Sequence, residues 1–156
     1  RNSNKAGEYI DGLLDSDLHN EDAVKKGLLL HYLFSNIITS DDIEQAADDM
    51  LVKGMISSVE EKNDLISYAC KKVGEHPEWF KKGLKIYNEC TILSYDQKNG
   101  RVKENRPDRV IREGNKMIII DFKTGMKFDS HERQIKRYAD LLSKMGFETE
   151  THLWYI

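Results

Sequence analysis

Asp121, Phe122 and Lys123 follow Met117-Ile118-Ile119-Ile120, an apolar run whose composition suits a strand buried on both faces. Side chains alternate across a strand, so Asp121 and Lys123 share one side of the sheet. An Asp-Xaa-Lys triplet carries little by itself, and Asp96 with Lys98 makes a second one. Context separates the two. Asp96 falls in a polar turn where solvated charge costs little, whereas a carboxylate directly after three isoleucines is strongly disfavoured without a partner. Thirteen positions earlier, Asp108 follows Pro107 at the start of a neighbouring strand. Glu113-Gly114-Asn115 folds the two strands back on each other, so the two acids can become neighbours. Close carboxylates repel unless a cation or a shared proton lies between them, and hard oxygen ligands of this kind favour Mg2+ or Mn2+. A cation held there can polarise a phosphate and deprotonate water, with Lys123 stabilising negative charge or orienting the water. The competing structural reading is a plain Asp-to-Lys salt bridge at a sheet edge.

These residues need elements to position them. The polar, acidic residues 1–19 read as a loosely structured arm, and Asn20 as a helix cap with Glu21 and Asp22 in the first turn. Val24, Leu28, Leu30, Tyr32, Phe34 and Ile37 give a broad apolar face that predicts a mostly buried helix through about Ile38. Ile43, Ala46, Ala47, Met50 and Leu51 mark a second helix stopping at Gly54. Ser58 with Glu61 has the spacing of a capping box for a third, carrying Leu65, Ile66, Ala69 and Val73 and ending at Gly74, with Trp79 and Phe80 packed beneath it. From Gly83 the texture becomes β: a strand over Leu84 to Tyr95, a turn at Asn99-Gly100, and strands over 106–112 and 116–123. A helix over about Ser130 to Met145, stopped by Gly146, and a last strand over Thr149 to Ile156 complete the order. Helices, three antiparallel-type strands, a helix and a strand make an α/β sandwich layout. One domain over residues 20–156 is expected, its helical part about 20–82 and its sheet core about 83–156.

Charge bounds the partners. The chain of 156 residues carries a net charge of −3, which by itself argues against nucleic acid, but the charge is segregated. Residues 1–60 hold 5 Lys or Arg against 12 Asp or Glu, whereas residues 81–137 hold 15 against 8. A basic segment that embeds a few acids suits phosphodiester chemistry, with cations on the backbone and carboxylates on metal; a solvated charged surface gives the same counts. No apolar run is long enough to span a membrane and no signal peptide is visible. Cys70 and Cys90 lack the spacing of a zinc or iron–sulfur site, which fits a reducing, cytoplasmic setting. Because the chain opens at Arg1 and closes in an apolar strand, it is expected to be a piece of something larger.

Pro107-Asp108 followed by Asp121-Phe122-Lys123 resembles the signature of the PD-(D/E)XK nuclease superfamily. The order Gly27-Leu28-Leu29-Leu30-His31, Asp108, Asp121-Phe122-Lys123-Thr124 and Gln134-Ile135-Lys136-Arg137-Tyr138 is similar to the successive motifs of RecB-like nuclease domains, from about residue 20 to the end. Such domains terminate AddA-type and related UvrD-like helicases. The resemblance implies a restriction-endonuclease-like α-β-β-β-α-β core with a helical insertion before the first strand. It also implies a deoxyribonuclease, most simply an exonuclease of DNA repair and recombination, partnered by a helicase domain of the same polypeptide and by a second helicase-nuclease subunit. It makes His31 a metal ligand with Asp108 and Asp121, although a lone His in an apolar helix is more often a core residue. It places Gln134 and Tyr138, one above the other on a helix, beside the site; Tyr138 also fits the apolar stripe. Glu89 matches an acidic position of these domains, with a supporting part. Arg106, Arg109, Arg133 and Arg137 are candidate phosphate contacts. Glu104-Asn105-Arg106-Pro107 lacks the glycine these domains often carry before the first aspartate, and their cysteine cluster is absent, so a cluster-free, metal-only enzyme is expected.

Two other functions compete. One is a catalytically inactive module that keeps the nuclease fold for DNA binding or scaffolding, its acids held in structural pairs. The other is a protein-interaction domain built on Asp41, Asp42, Asp48 and Asp49, which explains the charge segregation and leaves Asp121 unexplained.

Overall fold

The computed structural model describes residues 21–88 and 90–156, so the arm, the Asn20 cap and Glu89 lie outside the described residues. The fold is mixed α/β. Helices α1 (Glu21–Ser35), α2 (Ile43–Val52) and α3 (Val59–Glu75) come first, joined by a short 3-10 turn at Ser40–Asp42 and followed by another at Pro77–Trp79. Strands β1 (Lys85–Asn88), β2 (Ile92–Asp96), β3 (Arg101–Asn105), β4 (Arg109–Glu113) and β5 (Lys116–Lys123) follow. Helix α4 (Asp129–Lys144) and strand β6 (Glu148–Tyr155) end the chain. Among the described residues no helix is long and apolar enough to cross a membrane.

The main sheet has the order β1-β4-β5-β6, with β1, β4 and β5 antiparallel and β6 parallel to β5. Alternation along β5 sorts its residues onto two faces. Ile118, Ile120 and Phe122 join Ile111 and Trp154 against Leu30, Leu33, Phe34, Met50 and Phe80 of the helical side. Met117 and Ile119 join Val110 and Ile92 against Ile135, Tyr138 and Leu142 of α4. The sheet is therefore covered on both faces, and the unbroken apolar run of β5, buried from Met117 to Phe122, is what a doubly covered central strand requires. Gly114, at φ 59°, supplies the left-handed residue of the tight β4–β5 turn.

The strand read from Leu84 to Tyr95 is two strands in two sheets. β1 pairs with β4, whereas β2 pairs with β3 in a separate two-stranded hairpin closed at Asn99-Gly100, and β3 itself falls in a stretch that the sequence reading leaves without a strand. Composition stays β-like through the change of sheet, and only the burial of Ile92 beside α4 marks it. Strand β4 begins at Arg109 rather than Arg106. Helix α1 stops at Ser35, and Leu28, expected inward, is 49% exposed. Half of the α3 capping box is present. Ser58 Oγ accepts from Glu61 N–H at 3.1 Å, but the Glu61 carboxylate accepts from Ser57 N–H and Oγ–H and pairs with Lys25 at 2.8 Å. Those bonds pull its pKa down to about 2.

Arg109 corrects the expectation of a DNA contact. Its side chain is 0% exposed, and its guanidinium donates to the carbonyls of Ile37, Ile38 and Trp79 and to Asn88 Oδ1, while lying 4.3 Å over the Phe80 ring. Burial lowers its pKa to about 10, with Asp42 opposing the shift, so it stays charged at neutral pH. Guanidinium geometry allows this because five donors in a rigid fork can serve several carbonyls at once. Replacing Arg109 by Met should cost on the order of 3–5 kcal/mol, because three carbonyls lose a charged donor in a dry site. Urea unfolding of the variant against wild type measures it, and a loss under about 1 kcal/mol would show that water or neighbours replace the donors.

Candidate functional site

Strand β5 delivers Asp121 and Lys123 to the α4 side of the sheet, the face of Met117 and Ile119. Asp121 is 0% exposed, and Lys123 Nζ lies 2.9 Å from its Oδ2. The same ammonium donates to Gln134 Oε1 at 2.6 Å, from the second turn of α4. Lys123 is thus held between a strand carboxylate and a helix amide, which fixes the end of an otherwise flexible side chain.

Asp108 precedes β4 directly. Continuing the register that pairs Arg109 with Ile120 would set it opposite Asp121. Its carboxylate is nearly fully buried and is used at both oxygens: Oδ2 accepts from Phe122 N–H at 2.8 Å, and Oδ1 lies 2.9 Å from His31 Nε2. His31 comes from the middle of α1, its ring edge-on to Phe122 at 5.6 Å, with about a fifth of its side chain exposed. Three separated segments thereby converge on the end of β5: α1 through His31, the β4 entry through Asp108 and α4 through Gln134.

Each acid has a basic partner. The sequence reading puts a cation or shared proton between Asp108 and Asp121; the structure pairs Asp108 with His31 and Asp121 with Lys123. The donor types, one imidazole nitrogen and two carboxylates, suit Mn2+ or Mg2+. Among the described residues no group of three or more His, Cys, Asp or Glu side chains converges as a metal cage.

The remaining candidates separate. Tyr138, one turn below Gln134, is buried in the apolar cluster with Ile135 and Leu142, as its place in the stripe allows. Arg133 and Arg137 are exposed on α4. Arg106 is partly exposed and paired with Glu104 at 3.1 Å. Arg109 is in the core.

Sequence reasoning misses a group of rings beside Lys123. His131 Nδ1 and Tyr155 Oη share a hydrogen bond at 3.0 Å, and Phe128 meets the His131 ring edge-on at 5.5 Å. Tyr155 is the register partner of Lys123, and Ile156 N–H donates to the Lys123 carbonyl at 2.8 Å. His131 lies three residues before Gln134 on one helix face, a visible signal, but the nearness of Tyr155 follows only from the parallel register. Burial raises the Tyr155 hydroxyl above its usual range. Compared with known proteins, the chain matches no family model and no curated relative.

Burial first, and the Lys123 charge second, lower the His131 pKa below its ordinary 6.5. The unfolded chain then binds more protons between the folded value and 6.5, so this stabilisation is complete above 6.5 and is lost as pH falls through that window. The stability difference between wild type and His131→Gln, from urea midpoints, should therefore be larger at about pH 7.5 than at about pH 5. A difference independent of pH would mean that the ring titrates normally.

Proposed function

We propose that this chain is a RecB-like nuclease domain of the PD-(D/E)XK superfamily that hydrolyses DNA phosphodiester bonds with a divalent metal. The observation that carries this reading is the convergence of two buried carboxylates, a lysine, a histidine and a glutamine on the end of one central strand, from segments far apart in the chain. Burying that much charge is unfavourable unless it is paired, and such clusters concentrate at functional sites. The main sheet, with three antiparallel strands followed by α4 and a parallel β6, is compatible with a restriction-endonuclease-like core.

His31, Asp108 and Asp121 carry donor types that suit Mg2+ or Mn2+, and because they do not converge as a cage, holding the cation together would require the pairings of Asp108 with His31 and of Asp121 with Lys123 to open. When bound, such a cation supplies Lewis-acid polarisation of the phosphate and a water acidified toward hydroxide. The chain's own residues do the rest. Lys123 places a positive charge beside the reacting phosphate, where charge accumulates in the transition state. Gln134 positions the Lys123 ammonium through the 2.6 Å bond. Arg106, Arg133 and Arg137 would hold flanking phosphates. Exonucleolytic processing of DNA ends in repair and recombination, attached to a helicase motor and its partner subunit in the cytoplasm, is the setting this reading implies.

The closed pairing of His31 with Asp108 and of Lys123 with Asp121 favours a second reading, an inactive nuclease fold retained for DNA binding or scaffolding. Labelled linear DNA with Mg2+ or Mn2+ separates the two. Wild type should cut it, EDTA should stop the reaction, and Asp121→Ala or Lys123→Ala should lower the rate on the order of a hundred-fold or more while DNA binding persists. If wild type and both variants bind DNA and leave it equally intact, the inactive module is correct.

A further inference from the structure

His31 and Asp108 meet across 77 positions of sequence, and Phe122 touches both. Its backbone N–H donates to Asp108 Oδ2 at 2.8 Å, and its ring meets the His31 imidazole with centroids 5.6 Å apart and planes at 78°. The Phe122 ring is itself wedged in place. It is 1% exposed and stands against Phe34 of α1 at 5.7 Å and Trp154 of β6 at 5.8 Å. His31 is less confined, with about a fifth of its side chain in solvent.

An ionised carboxylate only accepts, so the 2.9 Å contact with Asp108 Oδ1 calls for a proton on His31 Nε2 and for that nitrogen to face the acid. Nothing intrinsic to histidine ensures this. The outer torsion of its side chain is broad and roughly two-fold, so packing has to decide which ring atom points where. A rigid ring beside the imidazole can do so, because edge-to-face ring pairs have a preferred geometry, and a hydrogen bond shielded from water is strengthened. We infer that Phe122 is a positioning residue of the site: its ring fixes the orientation of the His31 imidazole and so presents Nε2 to Asp108, from the face of the sheet opposite Lys123. Its bearing on catalysis rests on the nuclease reading. When the pairing opens, the same wall limits where the imidazole can turn.

The first measurement needs neither metal nor DNA. In EDTA and mildly alkaline buffer, nitrogen–proton correlation spectra of the full chain read which ring nitrogen of each of its five histidines carries the proton, and His31→Gln assigns the His31 signals. Wild type should show His31 as one tautomer, protonated at Nε2, with that proton moved downfield by its bond to the acid. Phe122→Leu and Phe122→Met should each mix the tautomers and lose the downfield proton, whereas Phe122→Tyr, which keeps the ring, should retain both features. Leu65→Ala, in the same apolar cluster but on α3, controls for lost packing: it should lower the melting temperature and leave the His31 signals in place. Two tautomers in wild type, unchanged His31 signals in Phe122→Leu or Phe122→Met, or the same loss in Leu65→Ala would each overturn the positioning role. Cleavage with Mn2+ is scored separately, and there Phe122→Leu and Phe122→Met should lower kcat about ten-fold with KM for DNA unchanged. A chain whose His31 responds and which never cuts DNA refutes the nuclease reading alone, and a Phe122→Leu variant that cuts at the wild-type kcat refutes the positioning role alone.

Discussion

The arrangement depends on one buried cation. Arg109 opens β4, yet its side chain turns into the helical layer and ties the segment after α1, through Ile37 and Ile38, to the turn after α3, through Trp79. A guanidinium stripped of water is tolerable only where its donors are nearly all used, so the three backbone carbonyls and the Asn88 amide hold it as firmly as it holds them. Asp42 closes the same arch from the other side by accepting from Ile38 and Thr39 N–H at 2.9 Å each. Since Asp108 is the preceding residue and His31 lies six residues before Ile37, the start of the gripped segment, the cross-link bears on the distance across which those two side chains meet. The site is assembled by a structural residue that never touches it.

Within the site, charge is arranged in two branches rather than one pool. His31 and Asp108 form the branch reaching toward α1, and Asp121, Lys123 and Gln134 form the branch reaching toward α4. Strand β5 separates and connects them: Phe122, between Asp121 and Lys123, turns its ring into the helical core while its N–H holds Asp108. Packing of Phe122 against the helical layer therefore bears directly on the alignment of Asp108 and His31. A cavity beneath Phe122 would loosen Asp108 without touching any charged residue.

Much of this was legible in the chain, and the reasons differ by element. The run ending in Asp121 announced a doubly buried strand because no half-exposed strand tolerates four consecutive large apolar residues. Helix α4 announced itself by its stripe, to which its tyrosine, Tyr138, belongs. The two strands inside 84–95 were not separable, because pairing partners leave no mark on local composition when both segments are β-formers. Arg109 was misread for a related reason: an arginine looks the same in sequence whether its partners are phosphates or main-chain carbonyls. The Lys123 and Tyr155 neighbourhood was hidden because parallel register is set by a crossover helix and not by a turn motif. The pairings of His31 with Asp108 and of Lys123 with Gln134 lie across 77 and 11 positions, beyond any local rule.

The bond from Phe122 N–H to Asp108 Oδ2 gives one carboxylate two occupations. It stands where a ladder carbonyl would otherwise stand, so it finishes the β4–β5 pairing as a side-chain substitute for backbone while also belonging to the polar cluster. Loss of the acid at 108 therefore disturbs the strand pairing and the polar cluster together and cannot apportion blame between them. Position 121, whose side chain is not part of the ladder, is where the two can be told apart. A substitution meant to disturb the polar cluster while keeping the shape of the domain would leave the first aspartate alone and change the second.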